Sequence, residues 1–136
     1  EDGMAEEWIA AHQDDYQLGL QVNFAITLNH DGSLVGNITL RINQTDDNGE
    51  LGYWIGKPYW NMGYATEATQ AVIKYGFEVL GLHRIFAAHL TRNPSSGRVM
   101  QKAGLAYEGC FRSHAKKWGV FEDLAHYGIL RSDYRP

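Results

Sequence analysis

A chain of 136 residues, 44% hydrophobic and 21% charged, suits one globular domain (1–136) with a substantial core. Its formal net charge of −4 argues against a nucleic-acid binder, which usually shows a basic stripe. One cysteine, Cys110, excludes an internal disulfide; no apolar run reaches membrane-spanning length and no signal-peptide pattern opens the chain, so the expected setting is the cytoplasm.

In chain order, Trp8, Ile9, His12 and Tyr16 fall at roughly helical spacing behind Glu6 and Glu7, which predicts an amphipathic helix. Phe24 to Leu28 alternates large apolar residues with Ala and Thr, the pattern of a half-buried strand. Asn29 to Ser33 holds the hairpin dipeptide Asp31-Gly32, and Leu34 to Ile42 reads as the partner strand. After a polar loop from Gln44 to Gly49, Leu51 to Ile55 makes a third strand, antiparallel to its predecessor. A turn-rich loop, Gly56 to Gly63, feeds a helix from Tyr64 to Leu80 whose Ala68, Val72, Ile73, Phe77 and Leu80 keep one apolar face, with Gly81 beyond its end. A strand (Arg84 to Leu90), a short helix (Ser95 to Ala103) closed by Gly104, and a strand pair (Ala106 to Lys116, Val120 to Leu130) turned near Lys117-Trp118-Gly119 complete the chain. The order implies a mixed α/β layer architecture of the α+β kind.

The loop that feeds the long helix carries the strongest chemical signal. A glycine at a helix start permits close approach of a ligand, and the first-turn N–H groups have no partners within the helix. Such a terminus attracts anions, phosphates above all. A glycine-containing helix start also occurs in folds that bind nothing there.

Two stretches together carry a resemblance. Trp60-Asn61-Met62-Gly63-Tyr64-Ala65-Thr66-Glu67-Ala68, followed by Asn93-Pro94-Ser95-Ser96 and Lys102-Ala103-Gly104-Leu105, resembles the GNAT superfamily of N-acetyltransferases. Within it the wording is similar to the branch that acetylates the N-terminal Ala or Ser of ribosomal proteins. The likeness runs from about Phe24 to the C-terminus. It implies the GNAT acyl-CoA N-acyltransferase fold, a mostly antiparallel mixed sheet flanked by helices. Family domains usually open with a further strand and helix, expected to be absent from this chain, and that helix helps form the acceptor pocket.

By resemblance, acetyl-CoA is the cosubstrate and its pyrophosphate lies on the backbone N–H groups of Met62, Gly63, Tyr64, Ala65 and Thr66. The family loop usually has Gln or Arg where this chain has Trp60. Asn93 would bond the pantetheine arm, although Asn-Pro-Ser-Ser is also an ordinary helix-capping sequence. A backbone N–H of the Tyr53-Trp54-Ile55 strand would polarise the thioester carbonyl. Deprotonating the attacking amine needs a base, and Glu50, opening that strand, is the expected one, with Glu122 a weaker candidate and a merely solvated carboxylate the alternative. Many relatives use a tyrosine seven residues after the motif asparagine as acid; Met100 stands there, and Ser96 is the substitute implied by the ribosomal-protein branch.

The expected activity is acetyl transfer to a primary amine by direct attack in a ternary complex, on a protein N-terminus or on a small amine such as a polyamine or antibiotic. A non-catalytic acyl-CoA-binding module is the rival from another class. The family implies a monomer or homodimer. His12, His30, His83, His89, His114 and His126 show no metal-ligand spacing, Cys110 has no neighbour that marks a nucleophile, and Asp123 is expected to serve structure. Trp54, Tyr59, Trp60 and Trp118 read as packing, with Tyr59 and Trp60 also able to line an acceptor groove.

Overall fold

The computed structural model describes residues 8–16, 19–28 and 30–136, with side chains from residue 21 onward apart from position 29. Its strands are β1 (Trp8–Tyr16), β2 (Gly19–Thr27), β3 (Leu34–Asn43), β4 (Asn48–Ile55), β5 (Arg84–Leu90), β6 (Ala106–Lys117) and β7 (Val120–Leu130). Helix α1 (Tyr64–Glu78) joins β4 to β5, and α2 (Pro94–Lys102) joins β5 to β6. The strands form one sheet in the order β1-β2-β3-β4-β5-β7-β6. Every neighbouring pair is antiparallel except β4 with β5. The mixed, mostly antiparallel sheet with flanking helices is the architecture the sequence implied.

One element differs. The stretch expected to be a helix at the start is β1, paired with β2 from Trp8↔Thr27 to Tyr16↔Gly19. Positions 8, 9, 12 and 16 fit a helical face, but the ladder offered by β2 satisfies the backbone of the whole segment, and tertiary pairing overrides a weak local preference. Strand β2 likewise starts well before Phe24, because Val22, Phe24 and Ile26 alternate into the core.

Alternation decides which face of the sheet is covered. Ile38, Leu40 and Ile42 of β3, Leu51 and Ile55 of β4, and Ile85 and Ala87 of β5 are buried with Ala68, Val72, Ile73 and Phe77 of α1. Each full-sized side chain buried this way contributes about 1.5–3 kcal/mol. The intervening residues of β3, Asn37, Thr39 and Arg41, lie on the other, polar face. The β6–β7 hairpin closes on Trp118 (φ 48°) and Gly119 (φ 80°), the two positive angles of a primed two-residue turn. No helix among the described residues is long and apolar enough to cross a membrane.

Candidate active site

The parallel pairing of β4 and β5 is short. It runs from Asn48↔Arg84 to Leu51↔Ala87, after which β4 continues to Ile55 and β5 to Leu90 without facing each other in register. The backbone of β4 beyond Leu51 therefore faces a gap. Which amides face it follows from one bond: the Gly56 N–H donates to the Val35 carbonyl at 2.7 Å. Antiparallel ladders alternate bonded and non-bonded pairs, so Trp54 with Asn37 is a bonded pair, whereas Tyr53 and Ile55 turn their N–H and C=O groups away from β3. The gap is thus lined by the main-chain groups of Tyr53 and Ile55.

The loop beyond β4 folds back to the same place. A single 3-10 turn (Lys57–Tyr59) leads to Trp60, whose indole N–H donates to the Ile55 carbonyl at 2.7 Å. Asn61 (φ 63°) and Gly63 (φ 82°) then adopt left-handed conformations that swing the chain into α1. Gly63 is the N-cap and offers no capping side chain. The first bond of the helix is Glu67 N–H to the Gly63 carbonyl at 3.0 Å, which leaves the N–H groups of Tyr64, Ala65 and Thr66 outside the helical ladder.

Helix α2 provides the other wall. Asn93 is its N-cap by position, but its side chain makes no capping bond; the turn is closed by the Ser96 N–H on the Asn93 carbonyl at 3.1 Å. The capping alternative for Asn93 is therefore not realised, and its exposed amide is left for another partner. Ser95 lies inside the helix, not at its cap.

These walls enclose one cleft of about 720 Å³. Of the residues singled out in the sequence, it brings together Tyr53, Trp54 and Ile55 from β4 and Gly63, Tyr64, Ala65 and Thr66 from the start of α1. Asn93 and Ser96 face them from α2. Met62 is exposed and is not among the lining residues. Nor is Glu50, which shares the polar face with Arg41 and meets its guanidinium at 3.4 Å. Met100, seven residues after Asn93, is buried in the core.

Two features of the cleft went unread in the sequence. Arg98 and Lys102 line it from α2, one turn apart, and supply positive charge to an otherwise neutral wall. Their spacing of four residues was the available signal. Tyr53 and Ser96 line it together; burial pushes the Tyr53 hydroxyl above its ordinary pKa of 10.0, and hydrogen bonding with Ser96 opposes that rise. No sequence signal links residues so far apart. Tyr59 and Trp60, read in the sequence as packing with a groove as the alternative, also line the cleft.

Other candidates serve the frame. Asp123 accepts from the Ser113 N–H at 2.8 Å across a bulge of β6, and its carbonyl accepts from Thr91 N–H at 3.1 Å. Glu122 pairs with Arg92 at 3.1 Å, tying β7 to the loop that precedes Asn93. Among the described residues, no three His, Cys, Asp or Glu side chains converge on a possible metal position.

Residues 1–106 match the acetyltransferase (GNAT) domain family. The chain belongs to the GNAT acetyltransferase family. It is similar to the uncharacterized N-acetyltransferase YnaD of Bacillus subtilis strain 168, at 35% identity over 82% of this chain and 65% of that protein. It is also similar to the putative ribosomal N-acetyltransferase YdaF of the same organism, at 34% identity over 77% of this chain and 58% of the relative. Among solved structures, a GNAT-family acetyltransferase from Bacillus anthracis superposes with a TM-score of 0.77 at 37% identity, covering 81% of this chain and 66% of that one. The chain thus spans about two thirds or less of the length of these GNAT relatives.

Proposed function

We propose that this GNAT chain transfers the acetyl group of acetyl-CoA to a primary amine, by direct attack in a ternary complex. The observation that carries the reading is the convergence on one cleft of two main-chain donor rows, at the start of α1 and on the unpaired end of β4. The first row suits a pyrophosphate, because helix-start amides carry partial positive charge and bind anions without a side chain. Arg98 and Lys102 add charge of the same sign. The second row suits a thioester, whose carbonyl oxygen gains negative charge as the amine attacks and is stabilised by fixed N–H groups such as those of Tyr53 and Ile55. Asn93 bonds the arm between the two.

In the proposed reaction the attacking nitrogen loses its proton to Glu50 through water from the polar face, and Ser96 protonates the departing sulfur. The acceptor we favour is the N-terminal Ala or Ser of a protein, ribosomal proteins being the class. The similarity to a relative whose name carries a ribosomal acceptor supports that choice. A cytoplasmic setting supplies the thioester and keeps the exposed Cys110 thiol reduced.

The test is thiol release from acetyl-CoA with peptides beginning Ala or Ser and with small amines, comparing wild type and Glu50→Ala. Turnover of the peptides, reduced about 100-fold in kcat by the substitution, is the expected result for loss of a general base. Turnover of small amines alone moves the acceptor to that class. Binding of CoA without turnover on any amine favours the non-catalytic module, a reading to which the burial of Met100 in place of an acid also points.

A further inference from the structure

Beyond Leu51↔Ala87 the strands β4 and β5 part, and the opening between them has two faces. The described helices both lie on one of them. Helix α1 buries Val72 and Phe77 with Leu51, and α2 meets Tyr127, the register partner of Ala87. On the other, polar face Glu50 and Phe86 are the last register partners, so the next positions there are Gly52 on β4 and Ala88 on β5. Neither presents more than a methyl group. Gly52 is exposed, and a Cβ built on it would meet nothing within 4 Å. Glu50 and Phe86 close the foot of this opening, and Trp54, 58% exposed, stands two residues beyond Gly52.

The chemistry of a ternary complex assigns the two faces. Donor and acceptor are bound at once, so the amine cannot use the side the donor fills. The donor's anchors, the start of α1 and the turn from Asn93 to Ser96, lie with the helices. A nucleophile is poised at about 3–3.5 Å from the carbon it attacks, in line with the empty orbital that stands off the carbonyl plane. For a thioester seated on the end of β4, the side left free is the polar one, at Gly52 and Ala88. A passage between two strands whose walls carry no more than a methyl group admits a slender amine, and every carbon added to either wall takes up its room. The Glu50 carboxylate at its foot favours the ammonium form in which a primary amine arrives near neutral pH.

We infer that Gly52 and Ala88 are the walls of the acceptor's entry port and set its size limit, in the acetyl transfer proposed above, a reading on which this inference rests. The port takes a primary amine on a carbon that carries at most a methyl or hydroxymethyl group, as an N-terminal Gly, Ala or Ser does. A branched or aromatic first residue is turned away by the walls, not by charge.

The experiment narrows the port in steps, with Gly52→Ala and Gly52→Val. Both keep the fold, because the position has open space and a φ outside the left-handed region. Thiol release is followed with peptides beginning Ala, Val or Leu. For the peptide beginning Ala, kcat/KM is expected to fall about tenfold in Gly52→Ala and about 100-fold in Gly52→Val, the range that an added carbon commands in a close-fitting pocket. KM for acetyl-CoA and the calorimetric affinity for CoA are expected to stay at wild type, since the donor lies on the other face. Ala88→Gly widens the port and is expected to raise kcat/KM for peptides beginning Val or Leu about tenfold relative to Ala. The inference is overturned by a Gly52→Val enzyme with wild-type kcat/KM for the peptide, by one whose KM for acetyl-CoA rises as much as that for the peptide, or by an Ala88→Gly enzyme with unaltered preference. A wild type that acetylates no amine overturns the acetyl-transfer reading itself. A wild type that does so, matched by Gly52→Val, overturns the port alone.

Discussion

The Trp60 indole N–H donates to the Ile55 carbonyl at 2.7 Å, and this bond closes the loop between β4 and α1 upon itself. Ile55 is also the last strand residue to face the gap, so the contact ties the loop that leads into α1 to the end of the β4 donor row. Trp60→Phe keeps the ring and deletes the donor. A hydrogen bond of this kind contributes about 1 kcal/mol net, so CoA affinity is expected to fall about fivefold by titration calorimetry, with kcat retained. An unchanged affinity would show that the loop holds its shape without the bond.

Asn93 stands at the cap of α2 without capping it. Asn93→Ala is accordingly expected to leave the melting temperature within about 2 °C of wild type, where loss of a true cap costs about 1 kcal/mol and several degrees. The same variant is expected to bind CoA about tenfold more weakly. A lowered melting temperature with intact affinity would return Asn93 to a structural role.

A Cβ added at Gly36 would sit 2.0 Å from the Trp54 carbonyl oxygen on the neighbouring strand. Neither backbone can yield without opening the β3–β4 ladder, which also holds the donor end of β4. Gly36→Ala is expected to destabilise the fold by roughly 3 kcal/mol in urea denaturation, in the upper range for single substitutions. Wild-type stability would mean that the two strands can separate locally at little cost.

Arg84 grips Glu108 with two bonds of 2.7 Å each. The Arg84 guanidinium holds the Glu108 carboxyl below its ordinary value of 4.5, against the opposing effect of burial. A carboxylate depressed in the fold stabilises above its unfolded pKa of about 4.3 and loses that contribution as pH falls through its lower folded value. The melting-temperature advantage of wild type over Glu108→Gln is therefore expected to be constant from pH 7 to 5 and to shrink toward pH 3. An advantage independent of pH would assign the effect to shape alone.

Much of this was readable in the residues. Gly63 at the start of an apolar-faced helix, and the Asn-Pro-Ser-Ser segment after a second strand, located both walls of the cleft, since each is a local feature with its own backbone chemistry. What escaped depends on partners remote in the chain. Trp8 to Tyr16 has a spacing that suits a helix, and only the neighbouring β2 makes it a strand. Glu50 lies on β4 as read; that its carboxylate meets Arg41 on the polar face depends on the pairing of β3 with β4. That Tyr53 and Ser96 line one cleft has no local signature at all, because they come from β4 and α2, far apart in the chain.

The short β4–β5 register has a mechanical meaning. The sheet is two antiparallel ladders, β1 to β4 and β5 with β7 and β6, stitched together over Asn48–Leu51 alone. A ligand lodged beyond the last stitch touches β4 of the first ladder and α2, which follows β5 of the second, and so acts as an additional fastener between them. Its binding free energy becomes cohesion of the whole sheet, so saturating CoA at 100 times its dissociation constant is worth about 2.7 kcal/mol against unfolding. Amide exchange should slow most where the seam ends, at Tyr53 and Ile55.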